Sequence, residues 1–413
     1  MRWGFAREVG IFDAWDAIGV EKSVNKMKEE NRKVPAWVEQ MLAAGRKSFY
    51  EIKNGEMTYW CPVDKKPVVY KQNKKVLNLN LYKNTKNTIK RDWSASIHDI
   101  GDGVLNVEFH SIFVPAFNPL DRSMNDIMKH ALDLLETGKY KGLVVGHQGK
   151  NWCAGANVND FKMAIDSGNL HVMDAGVKDM QTVTQRIRHS KYPVVTCPFN
   201  LALGGGFEFY ACSSHTVASG ELYAGLVEAI QGLIPGAGGH LRVLLNLLEN
   251  NGAKNVNMNI GRQAIQLINP MTVSRSATDA LKKGWLRKSD TIVMNSEHLL
   301  ATAKSKVLEM SVAGYKPPKY RDDLTLPGMT LRTMASVGAK AMKAQGKISD
   351  HDELVNSKSA YVLSGGNKGG IMSKVDEQHV LDIERECFMS LAGEPKTQAR
   401  IAHFLKTGKP LRN

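Results

Sequence analysis

Two glycine-rich segments of the sequence have the composition of sites that bind an anion or an oxyanion. Residues 151–157 read N-W-C-A-G-A-N, and residues 201–208 read L-A-L-G-G-G-F-E. Glycine lets a backbone approach a ligand closely, and the first amides of a helix have no intrahelical acceptor and lie at the positive end of its dipole. A tight crossing from strand to helix, which needs only small residues, explains the same composition equally well.

The other glycine clusters do not predict a nucleotide site. Residues 236–239 read G-A-G-G and begin like G-x-G-x-x-G, but the sixth position is Leu241. The segment Gly149-Lys150-Asn151 has the lysine of a P-loop without its Ser or Thr and without the upstream glycine spacing. Because the chain contains 36 glycines, such partial matches are expected by chance. We therefore predict neither NAD nor ATP binding.

The histidines and cysteines do not follow a metal-binding pattern. The sequence has no H-E-x-x-H motif, and its histidines are isolated, which favours satisfied or solvated side chains over metal ligands. The isolated histidines include His147, His171, His189, His215 and His240. Five cysteines without C-x-x-C spacing indicate neither a disulfide framework nor a zinc site. No metal is predicted, and a reducing cytosol fits this cysteine usage best.

Strands and helices alternate around the two glycine-rich segments. Apolar alternation and short apolar runs predict strands at 104–109, 143–145, 192–197 and 215–218, and helical spacing predicts helices at 124–135, 180–187 and 207–212. This alternation is typical of the α/β class. After about residue 255 the strand signal fades, and helices are predicted at 296–311, 334–345 and 380–391.

The first hundred residues differ in character from the rest. Residues 10–60 predict short helices, one with Ile11, Trp15 and Ile18 at helical spacing and another at 37–42 that is entered through Pro35. From residue 62 to about 97 the composition turns to Lys, Asn and Thr, which favours an extended or mobile connection. We predict a helical segment at 1–60, a basic linker at 61–97, an α/β domain at 98–300 and a helical C-terminal region at 301–413.

Several sequence blocks in order resemble the crotonase (enoyl-CoA hydratase) superfamily. After the strand comes W-C-A-G-A-N, then Y-P-V-V, then A-L-G-G-G-F-E, and then L-V-E-A-I-Q-G-L-I-P-G-A-G-G. The resemblance covers about residues 98–300. It implies a spiral of β-β-α turns, with a helical C-terminal region behind it, that assembles as trimers or as dimers of trimers.

The resemblance implies four catalytic positions. Ala156 and Gly205 match the residues whose backbone N–H groups hold the thioester oxygen, and Glu208 and Glu228 match the two glutamates of the hydratases. Many members of the superfamily lose one or both glutamates, so the pair favours hydration over hydrolysis or dehalogenation. The substrate-binding set that the resemblance implies is Ala154, Ala156, Asn157, Val158, Asn159 and Gly205.

The chemistry of hydration agrees with these residue types. Addition of water to a 2-enoyl thioester develops negative charge on the thioester oxygen, which two preorganised amides stabilise by about 2.7–4 kcal/mol for each donor. Two carboxyl groups can share the work of positioning water and delivering a proton. We assign Glu228 as the main proton shuttle and Glu208 as its partner in holding and activating water. Without a catalytic role, Glu208 would be a carboxylate favoured by the dipole at a helix N-terminus, and Glu228 would be a surface loop residue.

The match departs from the family pattern at two positions. Asn157 stands where the family usually has Asp, and Asn159 stands where a basic residue is often found, with Lys162 nearby. The resemblance therefore does not assign the phosphate contacts of coenzyme A. A Δ3,Δ2-enoyl-CoA isomerase, which needs the same oxyanion site and one proton shuttle, is the alternative enzyme.

Both ends of the chain carry a second resemblance. Residues 2–19, 34–38 and 48–50 are similar to the last helical part of 3-hydroxyacyl-CoA dehydrogenases, and residues 396–413 to the C-terminus of bacterial fusions that place the dehydrogenase before the hydratase. On this interpretation the chain is the rear portion of such a fusion, with 1–60 as a dehydrogenase remnant. The nucleotide-binding domain would then lie upstream of Met1. We therefore expect no dehydrogenase activity from this chain.

The net charge of +14 indicates an attraction to anions, of which coenzyme A is one. Residues 1–100 hold 19 Lys and Arg against 12 Asp and Glu, and residues 65–91 hold nine basic residues and no acidic one. Only Tyr70 and Tyr82 are aromatic in that run, so its composition disfavours binding of single-stranded nucleic acid such as RNA. A non-catalytic assembly role is a further alternative, because aromatic residues without a dehydrogenase partner would mark an interface. These aromatic residues are Trp3, Phe5, Phe12, Trp15 and Trp37.

The expected partners follow from the leading interpretation. They are an acyl-CoA thioester as substrate, a homo-oligomer as trimer or hexamer, and a dehydrogenase subunit and a thiolase as associated enzymes. Coenzyme A is part of the substrate, so no separate cofactor is predicted. The first residues lack the uninterrupted apolar core of a signal peptide, and no apolar run reaches the length of a membrane span. We expect a cytoplasmic protein.

Overall fold

The computed structural model describes residues 9–413, which divide into two compact units between Thr88 and Ile89. The described part of the first unit, residues 9–88, contains three helices and a three-stranded antiparallel sheet with the order β1-β2-β3. Its elements are α1 (Ile11–Ile18), α2 (Val20–Glu29), α3 (Ala36–Ala43), β1 (Tyr50–Lys53), β2 (Glu56–Cys61), β3 (Lys66–Val69) and a short 3-10 turn (Leu79–Leu81).

The aromatic residues of the first unit pack against one another. Phe12, Trp15 and Trp37 surround Phe49, with ring centroids 4.8, 5.2 and 5.4 Å from its own. Trp15 and Trp37 are half-buried in this cluster, and Phe12 is 40% exposed. That these side chains mark an interface for a dehydrogenase partner stays a prediction. Trp3 and Phe5, which belong to the same prediction, lie outside the described residues.

The second unit is built on a seven-stranded sheet with the order β12-β10-β8-β7-β6-β5-β4. Its strands are β4 (Thr88–Arg91), β5 (Ala95–Asp99), β6 (Val104–Phe109), β7 (Gly142–Val145), β8 (Val194–Thr196), β10 (His215–Ser219) and β12 (Thr291–Val293). β5 and β6 pair antiparallel, and the sheet from β6 to β12 is parallel. Every residue of β6 and β7 is buried, as expected for parallel strands covered on both faces.

Helices cover this sheet and form most of the C-terminal region. α4 illustrates why they form: Asp121 accepts a hydrogen bond from the Met124 amide at its start, and apolar residues at helical spacing face the core. The helices are α4 (Arg122–Glu136), α5 (Val158–Asp166), α6 (Leu170–Arg188), α7 (Gly205–Ala211), α8 (Gly239–Asn251), α9 (Met258–Ile268), α10 (Ala277–Lys283), α11 (Leu299–Val312), α12 (Met329–Ala344), α13 (Asp350–Leu363), α14 (Glu377–Ala392) and α15 (Pro395–Thr407).

Two small sheets complete the second unit. β9 (Asn200–Leu203) and β11 (Leu222–Gly225) form a parallel pair, and β13 (Leu324–Leu326) and β14 (Gly370–Val375) form an antiparallel pair. Single parallel bridges from Cys153 to Ala202 and from Leu120 to Ala156 extend the β9–β11 pair. The α/β class is confirmed. No helix within residues 9–413 is long and apolar enough to cross a membrane.

The predicted division of the chain differs from the observed one in its second segment. Residues 61–97, expected to be a linker, contain β3, β4 and the start of β5, and the boundary between the compact units falls between Thr88 and Ile89. These strands lack apolar alternation because most of their side chains are exposed or half-buried, as in β3 and β4. Their hydrogen-bonding partners, rather than their own composition, determine that they form strands.

Candidate active site

The ends of β9 and β11 bring two distant parts of the sequence together. The strands pair in parallel with Leu203 opposite Gly225, so the chain leaves both strands at the same edge. Gly204 follows β9 and donates its amide to the Gly225 carbonyl at 2.9 Å. The segment after β9 enters α7, which carries Glu208, and the segment after β11 enters a 3-10 turn that begins at Glu228. This edge is therefore where the two glutamates meet.

The glycines before α7 are required by their close neighbours. A Cβ on Gly206 would lie 2.4 Å from the Cys153 carbonyl oxygen, and Gly204 has a φ of +53°. A side chain at either position would displace or strain the backbone. The sequence G-G-G thus allows the start of α7 to lie directly against residues 153–156.

Two backbone amides point to an oxyanion site. A Cβ built on Gly205 lies 3.6 Å from the Ala156 nitrogen, so the two residues are neighbours. Among the hydrogen bonds of the described residues, neither the Ala156 amide nor the Gly205 amide donates to a protein acceptor. Gly205 is also the first residue of α7, whose first amides have no intrahelical acceptor. The arrangement offers two N–H donors to one ligand oxygen.

Glu208 is a buried carboxyl group that is held in one orientation. Its side chain is 3% exposed, and its Oε1 accepts hydrogen bonds from the amides of Ala237 at 2.8 Å and Gly239 at 2.7 Å. Burial raises the pKa of Glu208 well above its usual range, the charges of Glu228 and Glu384 add to this effect, and the two amides oppose it. The two amides therefore fix the direction of the Glu208 carboxyl group.

Glu228 lies beside the glycines of the first segment. A Cβ built on Gly204 would lie 3.1 Å from Glu228 Oε1, and Glu228 Oε2 is buried and has no hydrogen-bond partner among the described residues. Burial raises the pKa of Glu228 from 4.5 to about 8, and the charge of Glu384 contributes in the same direction. An unpartnered buried carboxyl oxygen with a raised pKa is typical of a group that exchanges protons with a ligand.

Both carboxyl groups border one cavity of about 100 Å³. The same cavity is lined by Ala156 and Gly205, so the two amides and the two carboxyl groups face one space. Its other walls are mostly apolar, with Phe161, Val177, Met180, Leu233 and Phe388 among them. A larger cavity of about 660 Å³ shares Ala156 and Phe161 with it and contains Arg122 and Lys129. Both cavities have mostly apolar walls, and the larger one also contains the acidic side chains of Asp121, Asp160 and Asp179.

The structure brings most of the predicted site residues to this space. Ala154, Val158 and the four residues predicted as catalytic line the small cavity. Asn157 lines the larger one, where its side chain caps α5 by accepting a hydrogen bond from the Asn159 amide at 3.2 Å. Asn159 is exposed and lines neither cavity. Its side-chain amide also bonds to Asn157 Oδ1, at 3.2 Å.

Sequence reasoning missed the turn that holds Glu208. This turn spans residues 236–240, and its G-A-G-G sequence positions a carboxyl group instead of a nucleotide. Gly236 and Ala237 line the small cavity. A signal for this role is present in the sequence, since the turn ends the last of the matched sequence blocks.

Helices of the C-terminal region also support the site. Arg400 of α15, 2% exposed, donates to the Ala229 carbonyl at 3.1 Å, and Thr397 donates to the Gly232 carbonyl at 2.9 Å. Both bonds fix the turn that follows Glu228. The helical prediction for residues 380–391, within α14, is also relevant here because Phe388 lines the small cavity.

A thiolate mechanism does not fit the cysteine near the site. Burial raises the pKa of the Cys153 thiol to about 12, so the thiol stays protonated at neutral pH. Within residues 9–413, no group of three or more His, Cys, Asp or Glu side chains is arranged to hold a metal ion.

Residues 114–252 match the family model described as enoyl-CoA hydratase/isomerase. A solved structure of a carnitinyl-CoA dehydratase from Mycobacterium thermoresistibile shares the fold, with a TM-score of 0.55 over 77% of this chain and 91% of that chain at 14% identity. The predicted crotonase-like fold is thereby confirmed.

Two curated relatives match two thirds or more of this chain. A Bacillus subtilis protein named "Probable 3-hydroxyacyl-CoA dehydrogenase" is 38% identical over all 413 residues, which cover 51% of that protein. A protein of Oryza sativa named "Peroxisomal fatty acid beta-oxidation multifunctional protein" is 24% identical over 68% of this chain and 36% of its own length. The chain thus spans about half or less of the length of these two relatives.

Proposed function

We propose that this chain is an enoyl-CoA hydratase that converts trans-2-enoyl-CoA to 3-hydroxyacyl-CoA in fatty-acid β-oxidation. One observation carries the proposal: the amides of Ala156 and Gly205 and the carboxyl groups of Glu208 and Glu228 line the same small cavity. The crotonase-family match and the fatty-acid oxidation relatives support the same reaction class.

The two amides stabilise the charge that develops on the thioester oxygen. When water oxygen bonds to C3, the electron pair of the C2–C3 double bond moves toward C1 and the negative charge reaches the carbonyl oxygen. Two fixed donors in an apolar cavity stabilise this enolate by roughly 2.7–4 kcal/mol for each donor. Because Ala156 and Gly205 donate through the backbone, their side chains take no part in the reaction.

The two carboxyl groups move the protons. The charge of Glu228 raises the pKa of Glu208, so ionisation of one carboxyl group disfavours ionisation of the other, and the pair can share one proton. The ionised group accepts a proton from water as the C3–O bond forms, and the protonated group donates a proton to C2. We assign the donation to Glu228, whose Oε2 has no partner among the described residues, and the holding of water to Glu208.

The cavities suit an acyl-CoA thioester. Phe161, Val177 and Phe388 provide apolar surface for an acyl chain near the amides. The larger cavity, which shares Ala156 and Phe161 with the small one, adds room for the rest of the thioester. Its Arg122 and Lys129 lie among the acidic side chains of Asp121, Asp160 and Asp179, and Lys129 is ion-paired with Asp179. Coenzyme A enters as part of the substrate, and no separate cofactor takes part in the proposed reaction.

Hydration of crotonyl-CoA, followed by loss of the ultraviolet absorbance of the conjugated thioester, tests the proposal directly. The Glu228→Gln variant keeps the size of the side chain but removes proton transfer, so its kcat should fall by about 10²-fold or more. Glu221→Gln makes the same chemical change at an exposed position and serves as the control, with a wild-type rate expected. A wild-type rate in Glu228→Gln would overturn the assignment.

A 3-enoyl-CoA substrate separates hydratase from isomerase. An isomerase needs one proton shuttle, whereas hydration uses both carboxyl groups, so Glu208→Gln should reduce hydration more than double-bond migration. The presence of both groups at the cavity favours hydration. Product analysis that found only migrated double bonds would assign the chain to the isomerases.

We further propose a cytoplasmic homo-oligomer that works beside a dehydrogenase subunit and a thiolase. The similarity of the chain to part of a longer relative named for its dehydrogenase supports this association. Light scattering and co-purification measure the oligomeric state and the partners. A nicotinamide-linked assay on 3-hydroxyacyl-CoA with this chain alone should give no turnover.

A further inference from the structure

The turn at residues 236–240 is held between two buried carboxylates. Its amides alternate: Ala237 and Gly239 donate to Glu208, whereas Gly238 and His240 donate to Glu384 at 2.6 and 2.9 Å. Four consecutive N–H groups are therefore occupied by two side chains. Glu384 lies on α14 and is 144 residues distant in sequence from His240.

Glu384 is itself fixed by its surroundings. Its side chain is fully buried, and besides the two amides it contacts His240 Nδ1 at 2.8 Å. His240 Nε2 in turn contacts Ser359 Oγ of α13 at 3.0 Å. A buried carboxylate is stable only when hydrogen bonds compensate for its lost hydration. Glu384 has three such contacts, so it can hold the turn in one position.

The row Ser359–His240–Glu384 has the order of a hydrolase triad but not its access to substrate. All three side chains are fully buried, and Ser359 borders a cavity of only about 10 Å³. That volume suits one water molecule and is too small for an acyl group. Glu228 lines the same small cavity. Ser359 is therefore not a nucleophile for an acyl group, and these three residues stabilise the turn beside the site.

We propose that Glu384 is a positioning residue for the hydration: it holds the turn at 236–240 so that the amides of Ala237 and Gly239 keep Glu208 oriented toward the reaction cavity. This inference rests on the proposed hydratase function. Loss of Glu384 frees two amides of the turn and the ring of His240, and Glu208 then loses its fixed direction.

The charge of Glu384 should also affect the pH dependence of kcat. On the neighbouring elements, Glu208 and Glu228 are affected by its charge and His240 contacts it, while Arg242 lies beside Gly238 of the turn. The negative charge of Glu384 raises the pKa values of Glu208 and Glu228, in addition to the larger effect of burial. A neutral residue at 384 should therefore shift the pH profile of kcat toward lower pH.

The test compares Glu384→Gln in the full chain with Glu386→Gln, an exposed glutamate on the same helix. For Glu384→Gln we expect kcat for crotonyl-CoA to fall about 10-fold, KM to change by less than about twofold, and the pH profile to shift downward. Ser359→Ala, which removes the more distant contact, should lower kcat by about 2- to 3-fold. Glu386→Gln should match the wild type.

Amide hydrogen exchange of residues 237–240 in the absence of substrate tests the positioning independently of activity. We expect faster exchange in Glu384→Gln at the Ala237 and Gly239 amides, although neither bonds to residue 384. If wild type hydrates no enoyl-CoA, the proposed function fails while this exchange result still decides the positioning role. Unchanged exchange and unchanged kcat in a folded Glu384→Gln would overturn the inference. Equal loss of activity and of thermal stability in both Glu384→Gln and Ser359→Ala, without a shift in the pH profile, would also overturn it.

Discussion

The buried carboxyl group of Glu228 should reduce the stability of the folded protein as the pH rises. Its pKa is about 8 in the folded chain, compared with 4.5 for an ordinary glutamate. The unfolded chain therefore releases this proton at lower pH than the folded chain. The contribution of Glu228 to the free energy of unfolding is therefore fully present below about pH 4.5 and is lost as the pH rises toward 8.

The magnitude follows from the two pKa values. At about 1.4 kcal/mol for each pH unit, the separation between 4.5 and about 8 corresponds to roughly 5 kcal/mol. Between pH 5 and pH 9, the linkage relation gives a loss of about 4 kcal/mol from this group. Glutamine does not titrate, so the free energy of unfolding of Glu228→Gln lacks this pH-dependent decrease. The variant should gain roughly 4 kcal/mol over wild type between pH 5 and pH 9.

Urea denaturation at several pH values between 5 and 9 measures this difference. Unfolding of the second unit is followed by hydrogen exchange of peptides around Trp152 and Trp285, which are fully buried in that unit. Glu221→Gln removes one exposed carboxylate and controls for the change in net charge. A difference between Glu228→Gln and wild type that stays within about 1 kcal/mol from pH 5 to pH 9 would refute the burial argument.

Two further predictions concern the backbone of the site. Gly206→Ala places a Cβ 2.4 Å from the Cys153 carbonyl oxygen, so it should destabilise the protein by about 1–3 kcal/mol and abolish hydration activity. Gly338→Ala is the control, because a Cβ there has nothing within 4 Å. Its thermal unfolding should be unchanged or slightly stabilised. Arg400→Ala removes the buried donor to the Ala229 carbonyl. It should lower the free energy of unfolding in urea by about 3 kcal/mol and should also lower kcat. Wild-type values for both quantities would contradict the supporting role of Arg400.

Much of the parallel sheet is visible in the sequence because its strands are short apolar runs. The strand predicted at 104–109 coincides with β6, and the helix predicted at 124–135 lies inside α4. The spacing of apolar residues predicts which face of an element is buried, and both elements bury apolar side chains in the core. The strands of residues 50–91 were missed because few of their side chains are buried.

The predicted site residues mostly meet at one cavity, but their supports could not be predicted. Ala156, Gly205, Glu208 and Glu228 lie in matched blocks, and the parallel pairing of β9 with β11 explains why they converge. Glu384 lies on a helix with no matched block, and nothing in its local sequence indicates that it bonds to a turn 144 residues away. Such long-range contacts depend on how helices pack rather than on local patterns.

The bonds from the C-terminal helices also set the order in which a growing chain can become active. The turn after Glu228 is held by Thr397 and Arg400, at sequence separations of 165 and 171 residues. During synthesis, at roughly 5–20 residues per second, the glutamates therefore emerge from the ribosome several seconds before the helices that fix them. A nascent chain that stops before α15 would display both carboxyl groups without a finished site. The distant anchors thus make catalysis conditional on nearly complete synthesis of the domain.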